Sequence, residues 1–370
     1  MKKFKNNLGI APWKIDHPIE RWLSWLADRC YIGKILYVNF YKVFDKDYYV
    51  KGLSFIEKNI QVFAGAVSNK QKKNYIYDMV YSLHRFGCMF DEYFLFDFPH
   101  LNTLGRDSFL TDKNRWKYYS CMNIDANKAI FDNKRKAYEI FRKYYKRELI
   151  EIIDDNDLNK FCDFAERHRR FIVKPIAGSG GKGVSVVSTD QYKDITAMFT
   201  DIRKKGAVVV EELVCQVDEM AALHPSSLNS VRVPTLKLKD RIVIYRPFLR
   251  IGRGNSIVDN AASGGVFVAV DADTGICSSE GVDELGNRYL RHPDTGIVLP
   301  GFRIPRWDEA VALVKELAEI IEGNRYVGWD LALTEDGWKM IEGNPCGQFV
   351  IQIATQKGIK KEIEDYIARM

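Results

Sequence analysis

Residues 171–188 read FIVKPIAGSGGKGVSVVS. An apolar run ends in Lys174 and Pro175, the glycines 178, 180, 181 and 183 follow, and a β-branched run resumes at Val184. Short apolar runs bounded by glycine read as strands, so the spacing predicts a hairpin with a glycine-rich tip. Gly178, Gly180 and Gly183 meet the spacing of the dinucleotide fingerprint, but that motif must open a helix, and here a strand follows. A P-loop fails as well, because Lys182 is followed by Gly183 instead of Ser or Thr. Glycine lets several backbone N–H groups approach a polyphosphate closely, so such a hairpin can act as a lid over phosphates. A glycine-rich tip is often a plain loop, and the neighbours decide. Lys174 on the preceding strand and Lys134 early in an upstream helix supply two cations. In a protein kinase the strand lysine follows the glycine loop; here it precedes it, and no HRD or DFG segment occurs downstream.

Working outward, DNKRKAYEIFRKYY (132–145) reads as an amphipathic helix with an acidic cap, and ELIEII (148–153) as a short strand. LNKFCDFAERHRR and ITAMFTDIRKK read as helices and AVVVEELV (207–214) as a buried strand, giving an α+β subdomain over 131–207. Downstream, VRVPTLKLK, RIVIYRPFLRIG and GVFVAVDA read as strands and WDEAVALVKELAEII as a helix, within a second subdomain over 208–370.

The segment VGWDLALTEDGWKMIEGNP (327–345) reads as two strands joined at a three-residue turn, Glu335 to Gly337. Counting outward from Thr334 and Trp338 sets Asp330 opposite Glu342, with Asn344 on the same face. Like charges facing one another across strands call for a cation, and an all-oxygen set suits Mg²⁺. Trp329 and Leu331 point to the other face and predict that it is packed.

In order along the chain, Lys134, FIVKP, GSGGKG, VVVEELV, WDLAL and IEGNP resemble the ATP-grasp superfamily from about residue 130 to the end. The segments HPSSLNSVRVPT, RPFLRIG, VDNAASGG, HPDTG and VGWDLALT resemble its sugar-transfer associated branch. The resemblance implies an α+β fold of two subdomains clasping ATP. It implies that Lys134 and Lys174 hold the α and β phosphates and that Ser179, Gly180, Gly181, Lys182 and Gly183 cover the γ-phosphate. Glu211, Glu212, Leu213 and Val214 would form the hinge that reads adenine, with Asp218, or its neighbour Glu219, on the ribose. Asp330, Glu342 and Asn344 would hold the magnesium ion. It further implies an ATP-dependent ligase that activates a carboxylate as an acyl phosphate and joins it to an amine, with a link to sugar or polysaccharide chemistry. A phosphotransferase that stops after phosphoryl transfer, or a nucleotide-sensing protein, are the alternative readings.

Arg232, Arg246 and Arg250 lie on strands between the hinge and the metal pair, and a guanidinium fork suits carboxylate and phosphate oxygens. Arg232 and Arg250 are therefore the expected ligands of the substrate acid or acyl phosphate. Several amide-forming members of the superfamily carry an arginine two positions before the first metal aspartate, where this chain has Gly328. The loop of Asp259, Asn260, Gly264 and Gly265 reads either as part of an acceptor pocket or as an ordinary polar loop. His292, before a proline, reads as structural.

The whole chain has 370 residues, 46% hydrophobic and 28% charged, with Lys+Arg 55 against Asp+Glu 49 for a net +6. That composition excludes a disordered chain, and no run nears the ~20 apolar residues of a membrane span. The mild positive balance suits small anionic substrates and does not call for nucleic acid. Seven dispersed cysteines show no metal-ligand spacing. The opening MKKFKNN lacks the apolar core of a secretory signal, so the expected location is the cytoplasm. Residues 1–130 are aromatic-rich and without motifs; they predict a mainly helical region with one short strand near Ile35–Phe40.

Overall fold

The computed structural model describes residues 18–44, 46–177, 183–259 and 264–370. The chain divides into two compact units, one running to Tyr118 with Gln356–Asp365, the other comprising Tyr119–Thr355 and Tyr366–Met370. The fold is α+β, with an aromatic-rich helical N-terminal region.

In the first unit, four helices follow one another: α1 (Pro18–Ala27), α2 (Tyr31–Phe44), α3 (Lys46–Ala64) and α4 (Asn69–Phe86). The strand expected near Ile35–Phe40 is instead the middle of α2. The error has a clear origin: Tyr37, Val38 and Tyr41 are buried while Ile32, Leu36 and Val43 are exposed, so apolar residues surround the helix and blur its period. Gly33 decides the packing, since a Cβ there would lie 2.4 Å from the Leu26 carbonyl carbon, a distance only two closely approaching backbones produce. α4 starts on a reciprocal capping box between Ser68 and Gln71 and ends at Gly87 in the left-handed conformation. Its Asp78 is buried against Arg106, with Nη1 and Nη2 at 2.8 and 2.7 Å, and Lys34 at 2.6 Å completes the group.

The second unit carries two antiparallel sheets. Helix α5 (Lys134–Tyr145) precedes a four-stranded sheet built from β1 (Leu149–Ile152), β2 (Arg170–Pro175), β3 (Ser185–Ser188) and β4 (Val208–Glu212), in the order β1-β4-β2-β3. Its apolar face, with Phe171, Val173, Val187, Val208 and Val210, packs against Phe161 and Phe164 of α6 (Leu158–Arg167) and Met198 and Ile202 of α7 (Ile195–Arg203). Alternation then sends Ile172 and Lys174 to the opposite face.

The larger sheet contains β5 (Val231–Lys237), β6 (Ile242–Ile244), β7 (Phe248–Ile251), β8 (Val266–Ala269), β9 (Gly281–Val282) and β10 (Arg288–Tyr289). After helix α8 (Trp307–Ile320) it is completed by β11 (Tyr326–Thr334) and β12 (Gly337–Asn344). The order is β10-β9-β8-β7-β5-β11-β12, with β6 beside β5. Phe141 and Tyr145 of α5 and Val314 and Leu317 of α8 join Val231, Val233, Trp329, Leu331 and Met340 in one core. The face opposite that core carries the polar side chains described next.

The β11–β12 turn differs from expectation. Thr334 pairs with Gly337, so the loop has two residues, with Gly337 at φ 103°. That register alone would set Asp330 against Ile341. A bulge between Asp330 and Leu331 intervenes: Leu331 pairs with Met340 and Asp330 with Glu342, leaving Ile341 as the extra residue. The expected carboxylate pair therefore forms, but a bulge supplies the offset that a longer turn was expected to supply.

Candidate functional site

A cleft of about 490 Å³ opens between the polar faces of the two sheets of the second unit. One wall comes from β2 and β4. Glu211 pairs across the sheet with Ile172, and Lys174 with Val209, so Lys174 and Glu211 are diagonal neighbours on the cleft face. Lys174 Nζ lies 2.5 Å from Glu211 Oε1. Arg147, just beyond α5, donates from Nε and Nη2 to Glu211 Oε2, both at 3.1 Å. Burial alone would raise the Glu211 carboxyl, but Lys174 and Arg147 outweigh it and hold Glu211 below the usual glutamate value.

Lys134 is the first residue of α5, whose N-cap Asn133 accepts from Lys136 N. That start places its side chain in the cleft with Lys174. Burial, and next to it the repulsion of Lys174, hold Lys134 below the ordinary lysine value against the pull of Glu342 and Glu211. Two lysines crowded in this way lose that penalty when an anion arrives.

β4 ends at Glu212, and Leu213 and Val214 line the cleft beyond the end of its ladder, together with Ile172, Ala177, Val186 and Ile341. This is an apolar slot beside free-running backbone. Asp218 and Glu219 lie further on, exposed at the start of a four-residue helix and outside the cleft lining. Gly183, the last residue of the expected lid, has φ 76°, and a Cβ there would stand 3.0 Å from Pro175 Cγ. The lid residues Gly178, Ser179, Gly180, Gly181 and Lys182 lie outside the described residues, as does Asn260.

The other wall is the cleft face of β5, β7, β11 and β12. Asp330 pairs across the sheet with Arg232 on one side and Glu342 on the other. Arg232 grips Asp330 with Nε and Nη2, the latter at 2.7 Å from Oδ2. Arg250 Nη1 reaches Asp330 Oδ2 at 2.7 Å, and its Nη2 reaches Asp259 Oδ1 at 2.7 Å. Asp259 also accepts from Ser230 N at 2.9 Å and from the Ser230 hydroxyl. Burial would raise Asp330, and the two arginines more than offset it, so it stays ionised well below neutrality. Glu342 moves the other way, raised by its own burial and then by Asp330.

Asn344 completes the trio, with Nδ2 3.4 Å from Asp330 Oδ2. A buried carboxylate, a half-buried one and an amide oxygen on adjacent strands form a hard-oxygen donor set, and a divalent cation would relieve the repulsion from Asp330 that helps to raise Glu342. Among the described residues no group of three His, Cys, Asp or Glu side chains is placed to hold a metal ion, so this set consists of two carboxylates and an amide only. The trio thus fits magnesium, with remaining positions left to phosphate and water.

Gly328 now has an explanation. A Cβ there would lie 2.9 Å from Arg232 Cδ, so the Arg232 stem occupies the space above it. The guanidinium that other members place two residues before the aspartate here arrives from the neighbouring strand. Arg246, at φ 47°, sits between β6 and β7 and does not line the cleft. His292 is buried, bonded to Gly252 O at 2.8 Å, and pushed down by that burial, in keeping with a structural part. Gly264 has φ 88°.

Arg147 and Ser230 escape the sequence reading, whereas Asp259 lies in the loop read as an acceptor pocket or an ordinary polar loop. Arg147 stands between a helix and a strand in KRELIE with no spacing to mark it, its only cue being a charge at the mouth of an apolar strand. Ser230 and Asp259 meet only because β5 and the loop after β7 are folded together, although HPSSLNS and VDNAASGG both resemble family segments.

Two antiparallel sheets that face one cleft, with paired lysines on one wall and a carboxylate pair on the other, form an ATP-grasp architecture. The chain belongs to the sugar-transfer associated ATP-grasp family, whose model matches residues 113–367. No curated protein matches the chain. Among solved structures it is similar to the ATP-grasp ligase PsnB complexed with minimal precursor, at 15% identity, covering 67% of this chain and 64% of that one, TM-score 0.42. It is also similar to D-alanine–D-alanine ligase from Helicobacter pylori, at 11% identity over 67% and 64% of the two chains, TM-score 0.43. A third is the ADP complex of the N5-carboxyaminoimidazole ribonucleotide synthetase purK, at 13% identity over 60% and 46%, TM-score 0.38. The chain thus spans less than two thirds of each of these proteins, and scores at this level carry no weight for activity or substrate. Among the described residues no helix is long and apolar enough to cross a membrane.

Proposed function

We propose that the protein is an ATP-dependent ligase that activates a carboxylate as an acyl phosphate and joins it to an amine, acting on a sugar acid or another small acid of glycoconjugate synthesis. The observation that carries this reading is the convergence, around one 490 Å³ cleft, of Lys134 and Lys174 with the cross-strand Asp330–Glu342 pair. The volume lies in the range of about 300–1,000 Å³ usual for small-molecule sites. In this reading residues 131–207 form the small lobe with its lid, residues 208–370 the large lobe, and the location is cytoplasmic.

Adenine would lie in the apolar slot beside Leu213 and Val214, held by the backbone of Glu211–Val214, with Asp218 near the ribose. Lys134 and Lys174 would take phosphate oxygens, and residues 179–183 would close over the γ-phosphate. Magnesium held by Asp330, Glu342 and Asn344 would neutralise charge on the β and γ phosphates. The substrate carboxylate oxygen attacks the γ-phosphorus as the bond to the β,γ-bridging oxygen breaks, giving the acyl phosphate and ADP. The amine then adds to the acyl carbon, loses a proton, and inorganic phosphate leaves. The chain needs no covalent residue for this, only charges placed in advance. Arg250 lines this end of the cleft, while Arg232 does not line it and stands against Asp330; both would exchange part of their bonding to Asp330 and Asp259 for substrate oxygens.

The test is ADP release with ATP, Mg²⁺ and a panel of uronic acids, other sugar acids and amino acids, with hydroxylamine present. A carboxylate-dependent hydroxamate is expected. A stable phosphorylated product without hydroxamate would replace the reading with a phosphotransferase. ATP binding without turnover across the panel would replace it with a nucleotide sensor.

A further inference from the structure

The bulge in β12 has a consequence for Glu342. On a regular strand residues two apart share a face, and Met340 is fully buried in the core. Were Ile341 paired in regular register with Asp330, Glu342 would share that core face. The bulge turns it to the cleft, opposite Asp330. β12 is the last strand of its sheet, so its outer carbonyls face away from β11. At this spot they meet Arg147: Nη1 donates to Met340 O at 2.6 Å and Nη2 approaches Ile341 O at 3.4 Å. The same guanidinium holds Glu211, and its side chain is only 1% exposed. The five N–H groups of the planar fork meet the Glu211 carboxylate twice and the carbonyls of Tyr145, Met340 and Ile341 once each, a set that the three N–H groups of a lysine cannot match.

We propose that Arg147 is a positioning residue that pins the β12 bulge and so keeps Glu342 on the cleft face, while its bond to Glu211 ties that carboxylate site to Lys174. The proposal rests on the reading of Asp330, Glu342 and Asn344 as a divalent-cation site. Arg147 also lines the cleft, but it is assigned no nucleotide or metal contact and acts through the backbone of residues 340 and 341.

The experiment titrates Mn²⁺ into the full chain with ADP present, following the free-ion EPR signal, and measures ADP binding without metal by calorimetry. Arg147→Met should weaken Mn²⁺ binding by about 10-fold or more, the range found for residues that orient metal ligands. Metal-free ADP binding should change much less, and hydrogen exchange at amides 340–343 should quicken. A folded Arg147→Met protein with wild-type Mn²⁺ affinity overturns the proposal, since an arginine that merely stabilises would lower Tm and leave the metal site intact. Should Arg147→Met fail to fold, Arg147→Lys serves: several-fold weaker Mn²⁺ binding with faster exchange at 340–343 supports the pin, and wild-type values for both overturn it. If the wild-type chain itself binds no Mn²⁺ with ADP, the metal reading falls. The exchange of residues 340–343 in the variants then decides the bulge claim by itself.

Discussion

Gly328→Ala probes how the cleft floor is built. The added Cβ would lie 2.9 Å from Arg232 Cδ, whereas carbon atoms rest at roughly 3.5–4.0 Å, so the arginine must retreat by about 0.6–1 Å. Its bond from Nη2 to Asp330, now 2.7 Å, would stretch past the useful range. If the arginine retreats, the lost hydrogen bond between charged groups costs about 1.5–3 kcal/mol, and if it stays, overpacking costs about 1–3 kcal/mol, so either way a destabilisation of ~2 kcal/mol is expected. In an Arg232→Ala background the clash disappears, and alanine should then match or exceed glycine by up to ~1 kcal/mol. The double-mutant cycle, read by denaturant unfolding, should therefore show an interaction energy of about 2 kcal/mol. Additivity within ~0.5 kcal/mol would refute the claim that Arg232 fills the space of a side chain at position 328.

Glu342→Ala should abolish ATP turnover while leaving the near-UV circular dichroism native; retained turnover removes Glu342 from the metal site. Asp78→Asn should cost about 3–5 kcal/mol, because it leaves the buried Arg106 without its counter-charge. The sign of its pH dependence follows from the shift: burial opposes ionisation, but Arg106 and Lys34 pull the Asp78 carboxyl below its usual value of 3.8. Its stabilisation is thus complete above the unfolded value and is lost as pH falls through the lower folded one, so the wild type should lose stability below about pH 4 more steeply than Asp78→Asn. An equal acid slope in the two proteins would contradict this. Gly33→Ala, which sets a Cβ against the Leu26 backbone, should lower Tm measurably, and an unchanged Tm would show that α1 and α2 can move apart freely.

Much of the second unit was readable in advance because its signals are local. The β2–β3 hairpin, the β4 run and the β11–β12 pair each announce themselves within twenty residues by glycine placement and period-two patterning. The Asp330–Glu342 pair was also legible, although for a partly mistaken reason: one extra residue in the turn and one extra residue in the strand give the same pairing, and the sequence does not separate them. What stayed hidden depends on strand order. Nothing near Arg232 shows that β5 lies beside β11, nearly a hundred residues away, so the cover over Gly328 could not be read locally. Arg147 needs the bulge, the edge position of β12 and Glu211 all at once. In the first unit α2 misled because its apolar residues face both inward and outward, and β-branched and aromatic side chains in such a run satisfy a strand pattern as well as a helical one.

Helix α5 begins at Lys134, and Arg147 follows two residues after its last turn. At about 1.5 Å per residue its twelve residues make a spacer of roughly 18 Å between the cleft-facing Lys134 amine and the guanidinium under β12. Such a spacer has a phase as well as a length. One inserted residue would lengthen it by ~1.5 Å and rotate one end against the other by about 100°, so that Lys134 and Arg147 could not both reach their partners. The helix is therefore the segment of this fold where point substitutions on the outer face should pass unnoticed and a single-residue insertion or deletion should not.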